Sequence, residues 1–148
     1  MTLPTHLAIG GIIGAITGQP ILAIAISALI DIDHLGIYYQ HNILKSPRLF
    51  WQTITTTADP YGGQRGYLHS VFGFIVVATL SLIIMPIYAL TLILSHLGHL
   101  TLDALDSADY WPLYPFKKIN FRGPVGFFSK QEAAIFIVLL GINAIVWL

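Results

Sequence analysis

Leu7–Ile30 runs for 24 residues without a charged side chain or a histidine, and Ser70–Ser95 runs for another 26. About 20 apolar residues in a helix cross a hydrocarbon core, so each run has the length of a span. A third apolar run, Ala133–Leu148, follows Glu132. Composition agrees with these runs: 55 % of residues are of the AVILMFWYC set and 9 % are charged, with a mean hydropathy of +0.75. Soluble domains are roughly a quarter charged. Seven Lys+Arg and seven Asp+Glu can hardly clothe a water-facing surface of this size. The zero net charge gives no basic face for nucleic acid, and the hydrophobicity excludes disorder. The absence of cysteine excludes disulfides, a thiol nucleophile and Cys-ligated zinc. The expected fold is one all-α integral membrane domain over residues 1–148, surrounded by membrane lipids and crossing the cell membrane more than once.

Both long runs are interrupted, by Gly18-Gln19-Pro20 and by Pro86. Each is therefore one kinked span or a hairpin of two shorter helices, and periodicity does not choose. Met1–Gly18 contains no Lys or Arg, so a cleavable signal peptide is not expected. All seven basic residues (Lys45, Arg48, Arg65, Lys117, Lys118, Arg122, Lys130) fall in two polar connections, about 35–67 and 107–130. The positive-inside rule makes both connections cytoplasmic. Trp51, Tyr110, Trp111 and Tyr114 read as interfacial anchors.

The ionisable residues gather at the ends of the apolar runs. His6 opens the first, and Asp31, Asp33 and His34 close it. His69 opens the second, and His96, His99, Asp103 and Asp106 close it. At 100° per residue the last four share a stripe about 80° wide. An Asp at the centre of a membrane helix costs ~2.5–3.5 kcal/mol, so such groups usually face a cavity and mark function. Any one of these residues is equally well read as interfacial solvation. The set is harder to dismiss, because His99 and Asp103 at i, i+4 let imidazole and carboxylate converge from one helix face. A mixed His/Asp set without Cys suits Zn²⁺ first, with Mn²⁺ and Fe²⁺ as alternatives. Asp31, Asp33 and Asp103 in one poorly solvated pocket repel unless a cation neutralises them.

A shared site requires hairpins. On continuous helices His6 and Asp31 would lie ~37 Å apart, and His69 and His96 ~40 Å. Turns at Gly18-Gln19-Pro20 and at Met85-Pro86 bring all four ends to the cytoplasmic side, with Pro86 in the first turn of the returning helix. The arms of the first hairpin are then 12–14 residues, ~20 Å, and re-entrant. His6, Gly10, Gly14 and Gly18 at four-residue spacing offer a face a partner helix can approach closely. Five helices are predicted, at about 5–17, 20–33, 67–84, 86–106 and 130–147, with the N-terminus inside and the C-terminus outside.

The order of these pieces resembles the family of membrane-bound, predicted metal-dependent hydrolases that includes the LexA-regulated inner-membrane proteins of bacteria. The residues that carry the likeness are Thr5-His6, Ile30-Asp31-Ile32-Asp33-His34 against P-D-x-D-H, and Gln64-Arg65-Gly66-Tyr67-Leu68-His69-Ser70 against H-R-G-x-T-H-S. His99 to Asp103 follows as H-x-x-x-D, ahead of Trp111-Pro112-Leu113-Tyr114-Pro115. Ile30, Gln64 and Leu68 depart from the pattern. Gln is a poor metal ligand, so the resemblance implies one metal ion fewer or weaker binding here, with His96 as an extra candidate that compensates. It also implies a hydrolase.

The metal ligands expected are His6, Asp31, Asp33, His34, His69, His99 and Asp103. A metal held there would activate water and polarise a phosphoryl or acyl oxygen, with Asp33 or Asp103 as general base. Arg65, with Lys117, Lys118 and Arg122 behind it, could clamp the phosphate of a phosphoester or lipid-like substrate at the cytoplasmic face. The 117–122 cluster is equally explained by positive-inside topology. Two other classes stay open: an ion or proton transporter using the His/Asp cluster, and a non-catalytic metal-binding membrane protein. Against transport, no charged group lies between residues 70 and 95, where a midplane site belongs. Oligomeric state is not legible.

Overall fold

The structure, a computed structural model, describes residues 1–55 and 65–148. Gln64, which departs from the family pattern, lies outside the described residues. Helix α1 (Leu3–Thr17) begins with a proline in its first turn and ends at Gly18, whose φ of 71° is left-handed. The Gly18 and Gln19 amides both donate to the Gly14 carbonyl, and Pro20 opens α2 (Pro20–Leu29). Glycine past the end of one helix and proline at the start of the next make a tight reversal. The first apolar run is a hairpin.

Its arms are unequal, which corrects the expectation of two short ones. Nothing in the sequence stops the second arm at residue 33. It passes through a 3-10 turn at Ile30–Ile32 into α3 (Asp33–Gln40). Among the described residues, Pro20–Gln40 is the one helical stretch long and apolar enough to cross a membrane, at 21 residues. It ends where Asn42 adopts a left-handed φ of 56°, a conformation asparagine tolerates. A further helix absent from the prediction, α4 (Pro47–Thr55), follows in the polar connection.

Helix α5 (Val71–Ile84) starts later than predicted because Ser70 caps it, its hydroxyl accepting from the Gly73 amide at 3.0 Å. A side chain at Gly73 would lie 2.0 Å from the Tyr67 carbonyl oxygen, so the entering chain needs glycine there. Helix α6 (Ala89–Leu105) also starts later. Pro86 sits in the preceding turn, where the Tyr88 amide donates to the Met85 carbonyl at 2.9 Å, rather than in the helix. Its fixed φ serves the turn. Helix α7 (Lys130–Val146) is capped by Ser129, which accepts from the Glu132 amide.

Helix α1 packs on α2, α6 and α7, and α6 also packs on α2 and α5. The glycine face of α1 meets α2: side chains at Gly10 and Gly14 would lie 2.8 Å from Ser27 Oγ and 2.5 Å from Pro20 Cα. Asn143 of α7 reaches across Gly11 and donates to the Ala8 carbonyl at 2.8 Å. The segment after α6 folds back over the end of that helix. There Gly123 donates to the Asp106 carbonyl and Val125 to that of Leu105. β pairing among the described residues is limited to two isolated bridges, Asp106–Val125 and Tyr110–Phe121.

Candidate metal centre

The starts of α1 and α5 and the ends of α2 and α6 meet at one end of the bundle. There the interior is polar. His6, His69, His99, Asp103 and Asp106 are all buried to 1 % exposure or less.

Two second partners set the histidine orientations. His99 Nδ1 lies 2.7 Å from the Ser27 carbonyl oxygen. A carbonyl only accepts, so Nδ1 carries a proton and Nε2 faces inward. His69 Nδ1 lies 3.3 Å from Asp33 Oδ2, which also accepts from the Leu68 amide at 2.7 Å. Its Nε2 therefore faces inward too. The two Nε2 atoms are 3.2 Å apart. Two inward nitrogens at that distance can share a proton or a metal ion.

Carboxylates complete the shell. Asp31 Oδ1 is 3.4 Å from each of these Nε2 atoms. Asp103 Oδ2 is 3.3 Å from that of His69 and 3.4 Å from that of His99. Ligands on a tetrahedral Zn²⁺ with ~2.0–2.1 Å bonds stand about 3.3 Å apart, and these five separations match. Asp103 Oδ2 is buried without a hydrogen-bond partner, as a ligand oxygen would be. His6 stacks on His99 with ring centroids 3.7 Å apart, and neither of its ring nitrogens has a hydrogen-bond partner. On the other flank, His34 Nε2 is also buried and unpartnered, 3.7 Å from Asp31 Oδ1. Two sets of side chains can thus each close on an ion: His6, Asp31, His99 and Asp103, and Asp31, His34 and His69.

The remaining residues singled out in the sequence are placed differently from one another. Asp33 orients His69 and lies outside both sets. Arg65 is turned inward, with Nη2 donating to Asp103 Oδ1 at 3.1 Å and Asp106 Oδ2 at 3.0 Å, and Nη1 to the Ala108 and Asp109 carbonyls. Burial works against its charge, but Asp103 and Asp106 more than offset this and hold the guanidinium above its ordinary value. His96 Nε2 donates to the Leu68 carbonyl at 2.7 Å, which keeps it out of both sets. Lys118 lines a cleft beside the cluster, whereas Arg122 pairs with Asp109.

Two groups were not in the expected ligand set. Asp106 shares the stripe of Asp103 and accepts from Arg65, and the Met1 amine donates to Asp103 at 2.9 Å and to Asp106 at 2.5 Å. The stripe was the signal for Asp106; nothing in the sequence pointed to the amine. Tyr110 is a correction. It is buried rather than interfacial, because its backbone pairs with Phe121 and Asn120. Burial, reinforced by Asp103, pushes its phenol up to about 12.

The cleft, about 570 Å³, is lined by Asp33, Arg65, Tyr67, Trp111, Tyr114 and Lys118 among others. Trp111 Nε1 is buried there without a partner. Asp33 and Arg65, which touch members of the cluster, stand in the cleft wall, whereas none of the residues of the two sets lines it.

The family model described as the YdjM inner membrane protein matches residues 1–148. This chain belongs to that family. Comparison with curated proteins and with solved structures gives no match. Membership supports a membrane location, as does the apolar exterior. Ile21, Ile83 and Ile87 are each more than two-thirds exposed, while His6, His69, His99, Asp103 and Asp106 are inside.

Proposed function

We propose that this chain is a multi-pass, membrane-embedded, metal-dependent hydrolase acting on a phosphoester or lipid-like substrate at the cytoplasmic face. The observation that carries the reading is the pair of inward-facing imidazole nitrogens of His69 and His99, 3.2 Å apart and flanked by Asp31 and Asp103. Zn²⁺ is the cation this donor set fits first, with Mn²⁺ and Fe²⁺ as alternatives. Bound by Asp31, His69, His99 and Asp103, it supplies a lowered pKa for water and polarises a phosphoryl oxygen.

The protein's own groups do the rest. Asp33 holds His69 in the tautomer that presents Nε2 and, since it also lines the cleft, it is the carboxylate that takes a proton from an attacking water. Lys118 meets the phosphate as a point charge, and Trp111 Nε1 offers it a hydrogen bond. Arg65 acts as a positioning residue for Asp103 instead of a clamp, because its Nη atoms are engaged by carboxylates and carbonyls. The apolar surroundings favour a substrate with a lipid-like tail.

Cytoplasmic orientation follows from the basic residues, all of which lie in connections that begin or end at this end of the bundle. Helices α6 and α7, at 17 residues each, reach the lower limit for a span. A non-catalytic metal protein is the second reading, and the engagement of the Arg65 Nη atoms by carboxylates and carbonyls favours it.

The test is metal analysis of the purified protein together with a screen of phospholipids and phosphodiesters. Asp33→Asn and Lys118→Ala should abolish or weaken turnover while metal is retained. Turnover unaffected by both, or by metal removal, overturns the reading. Metal without turnover of any of these substrates selects the second. Reporters fused at each end should place the N-terminus inside and the C-terminus outside.

A further inference from the structure

A single ion at the centre of the Asp31, His69, His99 and Asp103 shell leaves two histidines, His6 and His34, without a task. His6 lies on one flank and is wholly buried, its Nδ1 unpartnered and its Nε2 facing Asp103 Oδ1 at 3.3 Å. His34 lies on the other, its Nε2 unpartnered. A buried polar group without a partner carries a desolvation penalty, and two such groups on opposite sides of one carboxylate need a common cause. The two ligand sets are not separate sites. They share Asp31, and in each the ligand atoms lie within 4.8 Å of one another.

From this we infer that the centre holds two divalent cations bridged by Asp31. One is held by His6, His99 and Asp103, and the other by His34 and His69. The inference rests on the metal-centre reading above but redistributes its ligands, with His69 and His99 on different ions. Charge balance by itself requires one ion, and a second is balanced only by a bound anion. Asp31, Asp33, Asp103 and Asp106 bring four negative charges, against Arg65 and the Met1 ammonium, which pair with Asp103 and Asp106. One divalent ion neutralises the remainder. A second makes the centre net positive, which suits an anionic phosphoester. The second position is also the more open: the side chains of Asp31 and His34 are 28 % and 21 % exposed, against 2 % or less for His6 and Asp103. Open coordination there leaves room for water or a substrate oxygen, and two ions about 3.5–4 Å apart clamp both oxygens of an in-line displacement.

The experiment uses the full chain in detergent, stripped by chelation and reloaded with Mn²⁺. Metal per chain is measured by mass spectrometry, and the electron paramagnetic resonance spectrum reports whether the ions are coupled. Wild type should bind two Mn²⁺ with an exchange-coupled spectrum. His34→Ala and His6→Ala should each bind one, with the six-line spectrum of an isolated ion. Circular dichroism and a monodisperse elution profile establish that each variant is folded. His34→Gln replaces His34→Ala if the latter is not.

One Mn²⁺ in the wild type, unchanged by His34→Ala, overturns the two-ion arrangement and leaves the hydrolase reading standing. Two ions with an uncoupled spectrum overturn the Asp31 bridge. No bound Mn²⁺, Zn²⁺ or Fe²⁺ in folded protein overturns both.

Discussion

The two ends of the helical bundle are built from similar lengths of apolar helix and have opposite interiors. At the turn end, Gly18-Gln19-Pro20 and Met85–Tyr88 reverse the chain, large side chains such as Ile84 and Ile87 point outward, and one hydrogen bond from Thr91 to the Gln19 side chain, 2.9 Å, ties the hairpins together. At the other end His6, His69, His99, Asp103 and Asp106 fill the interior. The turn end satisfies its backbone locally and tolerates lipid around it. The site end concentrates groups whose charge or lone pair needs a partner, so its stability and its chemistry depend on the same contacts. Changes at the two ends should therefore separate cleanly.

The largest effect is expected for Asp103→Ala. It removes an oxygen of the proposed metal shell and also a partner of Arg65, the Met1 amine and His6. Breaking a buried ion pair by deleting one partner costs ~3–5 kcal/mol, so metal content and thermal stability in detergent should fall together. An interface of merely solvated charges would give the reverse, a silent or stabilising change.

Gly14→Ala comes next. A side chain there would lie 2.5 Å from Pro20 Cα, so α1 and α2 must shift apart, at ~1–3 kcal/mol for overpacking. Thermal unfolding should register the loss. Because the hairpin carries His6 on one arm and Asp31 on the other, metal retention should weaken less than for Asp103→Ala.

Thr91→Val is the turn-end control. Deleting its hydrogen bond to Gln19 should lower stability by about 1 kcal/mol and leave metal content as in wild type. If metal is lost as well, the two ends are coupled and the contrast fails.

The smallest change is expected for Arg122→Ala. The Arg122 side chain is 64 % exposed where it pairs with Asp109, and exposed pairs contribute ~0–1 kcal/mol. Melting temperature and metal stoichiometry should both stay within error of wild type.

The sequence by itself determined the class of molecule and the place of its polar residues. Uncharged runs of 24 and 26 residues can only be helices where water is scarce, since helices satisfy their own backbone. Gly18-Gln19-Pro20 marked where the first run breaks, though not whether the chain kinks or turns back there. The i, i+4 relation of His99 and Asp103 is a property of one helix and needs no neighbour.

What the tertiary structure alone decided is the part each residue takes, because that depends on directions across helix interfaces. Nothing in Ile30–His34 says that Asp31 faces two imidazoles while Asp33 turns to His69 Nδ1. Arg65, legible as a conserved-looking motif position only through its family likeness, turns inward because Asp103 and Asp106 lie there. His96 shares the stripe of His99, yet the Leu68 carbonyl crosses its path first. The extension of the second hairpin arm to Gln40 and the burial of Tyr110 were likewise set by neighbours rather than by local pattern. Spacing along a helix fixes an angle and a rise. Which atom meets which is set by how closely Gly10 and Gly14 let α1 approach α2, and by where the chain after Leu105 folds back.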